Sequence, residues 1–255
     1  MSRWFAMSNR ASVGEVSIFD EIGMGGISAG DFHKELTALG DVAHIALSIN
    51  SPGGDVFAGL GIFNQLKRHK AAIIVTIDGI AASIASVIAM AGDRVVMPEN
   101  AMMMLHDPSG LVLGNAKNMR DLAASLDKIK AGMISAYTAK TGMDRGKIAE
   151  MMDVETWMTA QEAVDMGFAD SIEEPVKMAA RFDLSKFRNA PAAAPPTMPA
   201  PKETFSTIAA RTYAKLNGTP ATALKTVTAA APPPGNLLPA EVTARIWDRF
   251  NRIRV

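Results

Sequence analysis

Ile45, Leu47 and Ile49 alternate with Ala46 and Ser48, a period of two that predicts a strand, and Asn50-Ser51-Pro52-Gly53-Gly54 breaks it. From Asp55 to about Arg68 the apolar positions return at helical spacing. Residues 72–78 are β-branched and almost all apolar, the pattern of a strand covered on both faces. Gly79 is expected to end that strand, and an apolar helix is expected over 83–90, followed by short strands at 94–97 and 102–106. Upstream, Ser28 with Asp31 three residues on predicts a capped helix through Leu39, closed by Gly40. Downstream, Met119, Leu122, Leu126, Ile129, Met133 and Tyr137 form one apolar stripe. A helix of roughly 25 residues at ~1.5 Å each is longer than a small core can cover. Thr159 and Glu162 make a capping box for a short helix that Gly167 terminates. Repeated β-α-β order without any internal repeat predicts an α/β fold with a mostly parallel sheet wrapped by helices.

The pattern changes near residue 189. Ten of the 14 prolines lie beyond it, among alanines and threonines that offer little to bury, so 189–236 is expected to be a flexible Pro/Ala/Thr-rich linker. In 237–255, Val242, Ile246, Phe250 and Ile253 recur at helical spacing with Arg245, Arg249 and Arg252 between them, which predicts a basic amphipathic helix. Lys+Arg and Asp+Glu both total 26, but from Asn189 onward eight basic residues stand against three acidic ones. A mildly acidic body of 1–188 therefore carries a basic tail. Balanced net charge gives no argument for nucleic acid, and no apolar run approaches the ~20 residues of a membrane span. The N-terminus lacks the apolar stretch of a secretory signal, so the expected compartment is the cytoplasm. Cysteine is absent, which excludes disulfides, thiolate metal sites and a cysteine nucleophile.

Candidate chemistry concentrates in turns at strand ends, where open α/β sheets bind ligands. No G-x-x-x-x-G-K-[ST] loop and no H-E-x-x-H is present, and the four histidines are too scattered for a metal site, so no cofactor or metal is expected. Three turns remain. Ser51-Pro52-Gly53-Gly54 can expose backbone amides. Gly79-Ile80-Ala81-Ala82-Ser83 places a serine at a helix start, and Met104-Leu105-His106 ends a strand on an imidazole. A serine needs a base to become nucleophilic, the base needs an orienting carboxylate, and the oxyanion needs amide donors. Each turn has a structural alternative: Ser83 as an N-cap alone, Ser51–Gly54 as a turn alone, His106 as a hydrogen-bonded strand-end histidine. The residues by themselves leave these open.

At these residues the chain resembles the ClpP family of serine peptidases, over about residues 16–172. The resemblance rests on Ile49-Asn-Ser-Pro-Gly-Gly54, Gly79-Ile-Ala-Ala-Ser83 and Met104-Leu-His106, in that order. Within the family it is most similar to the phage-type head maturation (prohead) proteases, through Ser-Pro-Gly-Gly-Asp-Val-Phe, Val-Ile-Ala-Met-Ala-Gly-Asp and Glu155-Thr-Trp157 with Thr159-Ala-x-Glu-Ala. The resemblance implies a ClpP/crotonase-like βαβ spiral with a protruding handle helix. It implies Ser83 as nucleophile, His106 as general base, and the amides of Gly54 and Ile84 as oxyanion hole. The family places an aspartate just before a Phe-[Leu/Met]-[Ser/Thr]-Ala stretch. Here Trp157-Met158-Thr159-Ala160 is preceded by Glu155, with Asp153 as the alternative, so the register favours Glu155.

The helix of 116–140 matches the handle through which family rings stack, which implies a ring-forming homo-oligomer with enclosed active sites. The expected function is a serine endopeptidase cleaving phage capsid or scaffold proteins in the host cytoplasm, inside the immature head, with the tail as anchor or as a self-cleaved segment. Three rivals are a housekeeping protease fed by an ATPase partner, a crotonase-like acyl-CoA enzyme, and a non-enzymatic assembly scaffold working through its basic tail.

Overall fold

The structure is a computed structural model that describes residues 5–10, 13–23, 28–175 and 182–191. The predicted linker beyond 191 and the predicted helix of 237–255 lie outside the described residues. The elements run β1 (Phe5–Arg10), β2 (Val13–Phe19), α1 (Ala29–Ala38), β3 (His44–Ser51), α2 (Val56–Arg68), β4 (Ala72–Ala82), α3 (Ile84–Ala89), β5 (Arg94–Pro98), β6 (Met102–Leu105), α4 (Ala116–Thr141), α5 (Arg145–Asp153), β7 (Thr156–Thr159), α6 (Ala160–Asp165) and β8 (Ser171–Glu173). The hairpin β1–β2 was not among the expected elements.

The strands build one mixed sheet in the order β1-β2-β3-β4-β5-β8, with β6 pairing β4 and β7 off that path. The β2–β3, β3–β4, β4–β5, β4–β6 and β5–β8 pairings are parallel, while β1–β2 and β6–β7 are antiparallel. The expected α/β architecture with a mostly parallel sheet stands. Its two central parallel strands are covered on both faces: Ile45, Leu47, Ile49, Ile73, Val75 and Ile77 are all buried, and so are the intervening Ala46, Ser48 and Thr76.

One boundary departs from the reading of the sequence. β4 does not stop at Gly79 but continues to Ala82. It pairs with β5 through Ile74–Thr76 and then with β6 through Ile80–Ala82, so the glycine marks a change of neighbour and not an end. The β3–β4 register shifts between Ile49 and Ser51, and Asn50 Oδ1 accepts the Ile80 N–H at 3.2 Å, satisfying a buried donor that the irregular ladder frees.

Helix α4 has two halves of different character. Met133, Ile134, Ala136 and Tyr137 are buried, beside α3 and α5, with Tyr137 edge-on to Phe168. The first half meets little of the body: Met119 is 54% exposed, and the preceding Leu111 and Leu113 are 90% and 89% exposed. The excess length inferred from the stripe is thus a projecting arm. Among the described residues no helix is long and apolar enough to cross a membrane.

Candidate active site

The first wall of the site is the Ser51–Gly54 turn. Ser51 donates its hydroxyl to Asp20 O at 2.7 Å and accepts the Gly53 N–H at 3.2 Å, tying the turn to the end of β2. Ile22 then bridges Gly54 from the side, donating its N–H to Gly53 O and accepting the Asp55 N–H. That pattern leaves the Gly54 N–H unused. Both glycines are dictated by space as well as by positive φ. A Cβ on Gly53 would lie 2.7 Å from Ser83 Cβ, and one on Gly54 would lie 2.2 Å from Ile22 O.

The second wall is the elbow between β4 and α3. Ser83 occupies the N-cap position but makes no side-chain cap bond; its backbone is at φ 57°, ψ −130°. A non-glycine residue at positive φ is strained, by roughly 1–3 kcal/mol, and persists only where its surroundings enforce it. Here they do. Ser83 N–H donates to Met104 O at 3.0 Å. The Ser86 hydroxyl reaches the carbonyl oxygens of Ser83 (2.6 Å) and Met104 (3.0 Å) and, its one proton engaged there, accepts from the buried Tyr137 hydroxyl at 2.8 Å. The strain turns Ser83 Oγ away from its own helix and toward His106, whose Nε2 lies 2.7 Å from it. Ile84, the first helical residue, has no carbonyl four residues back to receive its N–H. Among the described residues neither the Gly54 nor the Ile84 amide has a hydrogen-bond partner.

His106 follows β6, a strand held on one side by β4 and on the other by β7. Burial pulls its pKa below the ordinary 6.5, assisted by Lys186, while Glu155 and Asp107 oppose the shift without cancelling it. The imidazole is therefore neutral and able to accept a proton at neutral pH. Phe187 packs edge-on against the ring, with centroids 5.6 Å apart.

The two acidic candidates separate clearly. Asp153 is 58% exposed in its side chain and pairs with Lys130, which also holds Asp107 at 2.8 Å. That ion pair keeps the Asp153 carboxyl below its ordinary value and engages it with α4. Glu155 is only 8% exposed and shares a cleft of about 390 Å³ with His106, Asp107, Phe187 and Arg188. Burial alone would raise its pKa, but the backbone amides of Asn189 and Arg188, the Trp157 indole and the nearby imidazole outweigh that and hold it below the ordinary 4.5. The bonds are Asn189 N–H at 2.6 Å, Arg188 N–H at 2.9 Å and Trp157 Nε1–H at 3.2 Å. Like Ser83, Glu155 has positive φ, 56°.

Ser83, His106, Gly54 and Ile84 thus meet at one place, with Glu155 on the adjoining cleft and Asp153 turned to Lys130. No site role was expected from the sequence for Phe187, Arg188, Asn189, Ser86 or Tyr137. Phe182, Leu184 and Phe187, apolar residues just before the prolines begin, were a legible sign that this stretch packs. Among the described residues no three His, Asp or Glu side chains are grouped to hold a metal ion.

The sequence profile of the Clp protease family matches residues 15–176. The chain is 36% identical over 146 residues to the ATP-dependent Clp protease proteolytic subunit 1 of Chlamydia muridarum, covering 55% of this chain and 74% of the relative. The protein of the same description from Protochlamydia amoebophila is 35% identical over 146 residues, covering 55% and 69%. The ATP-dependent Clp protease proteolytic subunit of Bacteroides fragilis is 34% identical over 131 residues, covering 50% and 63%.

Proposed function

The chain belongs to the Clp protease family of serine peptidases, and on that premise we propose that it is an endopeptidase that trims capsid or scaffold proteins during phage head assembly, with Ser83 as its nucleophile. The observation that carries the site assignment is the 2.7 Å contact between Ser83 Oγ and His106 Nε2 on an elbow whose strain serves no capping role.

In the mechanism we propose, Ser83 Oγ attacks the scissile carbonyl carbon while its proton passes to His106 Nε2. The carbonyl oxygen becomes an oxyanion, and the unused Gly54 and Ile84 amides receive it. Collapse of the tetrahedral intermediate breaks the C–N bond, and the imidazolium returns its proton to the departing amine. Water then attacks the acyl-enzyme by the same route and frees Ser83. Glu155 stabilises the imidazolium through its negative charge. It retains lone pairs for Nδ1 beyond those its three donors occupy, and catalytic hydrogen bonds commonly tighten only around substrate.

The substrate class rests on the Ser-Pro-Gly-Gly-Asp-Val-Phe and Glu155-Thr-Trp157 segments, and on residues 177–255, which lie beyond the family match and carry an excess of basic side chains. The tail's role is capture of the assembling head, and the exposed arm of α4 serves ring formation, as is general in the family. A second reading is favoured by the relatives: their descriptions are ATP-dependent, which points to a chamber fed by an unfolding ATPase. Co-expression with capsid and scaffold proteins separates the two. Cleavage without added ATPase, abolished in Ser83→Ala, is the expected result; cleavage that requires an ATPase and ATP supports the second reading. Cleavage undiminished in Ser83→Ala overturns the assignment of the nucleophile.

A further inference from the structure

Residues 182–191 lie beyond the region matched by the family, yet they pack on the site. Phe187 is buried with Ile80, Ala82 and Met104, the residues of β4 and β6 that lead into Ser83 and His106, and it stands edge-on to both His106 and Trp157. One residue on, the chain turns its amides toward Glu155. Asn189 makes the densest set of contacts: N–H to Glu155 Oε1 at 2.6 Å, and Nδ2 to Val154 O at 2.7 Å and to Glu155 O at 3.3 Å. Side chain and backbone of one residue thus grip both ends of Glu155, the carboxylate and the peptide at positive φ.

We infer that Asn189 is a positioning residue for the peptidase centre, fixing the Glu155 carboxylate beside His106 from a segment that the family domain itself does not supply. The inference rests on the reading of Glu155 as the acidic partner of His106. Three features favour positioning over blockade. The Ser83–His106 hydrogen bond is already formed with the segment in place. The cleft beside His106 remains open, with the segment as one of its walls. The donors engage Glu155 and leave Ser83 Oγ alone. Without the Asn189 side chain the carboxylate keeps its three donors, but the Val154 and Glu155 carbonyls lose their bonds to Nδ2, so the peptide that carries the carboxylate is released. The carboxylate then recedes from the imidazole, and the charge that opposes the fall of the His106 pKa weakens.

The test uses the full-length chain and a fluorophosphonate probe, with labelling of Ser83 followed from pH 4.5 to 8.5. Asn189→Ala is expected to slow labelling about tenfold at neutral pH and to move its acid limb to lower pH, a loss in line with small misplacements of catalytic groups. Asn189→Asp, equal in size but without the amide donor, is expected to be at least as slow. Asn189→Gln, which keeps a donor, is expected to recover most of the rate. Melting temperatures are measured alongside. If Asn189→Ala does not fold, Asn189→Asp against Asn189→Gln decides the same question. Equal rates and pH profiles across the series overturn the inference. So does faster labelling, which would make the segment a shield, and so does a slower rate with an unmoved acid limb, which would make it mere structural support. Failure of the wild-type chain to label at Ser83 is a separate result: it removes the peptidase reading beneath.

Discussion

Ser83 and Glu155 stand on equally unusual backbone, at φ 57° and 56°, and are held there by opposite means. The serine is enforced from within the buried core, through the Met104 carbonyl, the Ser86–Tyr137 hydroxyl pair and the close passage of Gly53. The glutamate is enforced from outside, by amides of residues that come more than thirty positions later. Strain locked into a hydrogen-bonded core is hard to relax, whereas strain held by a docked segment can be altered without unfolding the body. The nucleophilic half of the site is therefore architecture, and the acidic half is adjustable.

The strongest way to break this contrast is at the base. His106→Ala is expected to lower peptide hydrolysis by on the order of 10⁶-fold, and combining it with Ser83→Ala is expected to add little, because the two act as a unit. Additive losses in a steady-state assay would separate them. Glu155→Gln is expected to cost less, about 10⁴-fold, since the serine–histidine pair and the oxyanion amides stay in place. A loss as large as that of His106→Ala would erase the proposed difference between the halves.

The pH profile sharpens the comparison. With the imidazole held below 6.5, kcat/KM is expected to stay level to about that value and to fall only at lower pH. In Glu155→Gln the acid limb is expected to move lower still, because the anion that raises the imidazole pKa is gone. Stability follows the same direction. Glu155 and His106 both have folded values below their unfolded ones, so the unfolded chain binds protons first in each case. Acid therefore destabilises the fold, beginning below about 6.5 through His106 and continuing below about 4.5 through Glu155. Denaturant midpoints in Glu155→Gln that decline less steeply in that range, where Asp31, Asp153, Glu162 and Asp183 still contribute, would agree. The smallest expected effect is that of Tyr137→Phe, about 1 kcal/mol of stability from the lost bond to Ser86, with labelling of Ser83 little changed.

The same contrast explains what could be read from the sequence. Ser83, His106 and Gly53-Gly54 were visible because each lies at the end of a strongly patterned strand, and geometry near such ends is set by a few adjacent residues. The capping boxes at Ser28 and Thr159 were visible for the same local reason. β4 ran past its expected end because Gly79 punctuates by local rule, while the ladder to β6 is a long-range pairing no local pattern announces. Asp153 and Glu155 were indistinguishable by composition. Lys130, on a helix more than twenty residues earlier, separates them by engaging the first. The contribution of Asn189 was hidden by its neighbours: the prolines that follow gave the stretch from 189 onward the look of a spacer.

The arrangement also sets an order of events during synthesis. Ser83 and His106 leave the ribosome long before Arg188 and Asn189, with Asn189 standing 83 positions after His106. At ~5–20 residues per second, that gap lasts roughly 4 to 17 s. On the proposed assignment, a growing chain thus completes its hydrolytic centre only when Arg188 and Asn189 arrive, and neighbouring nascent proteins are spared in the interval.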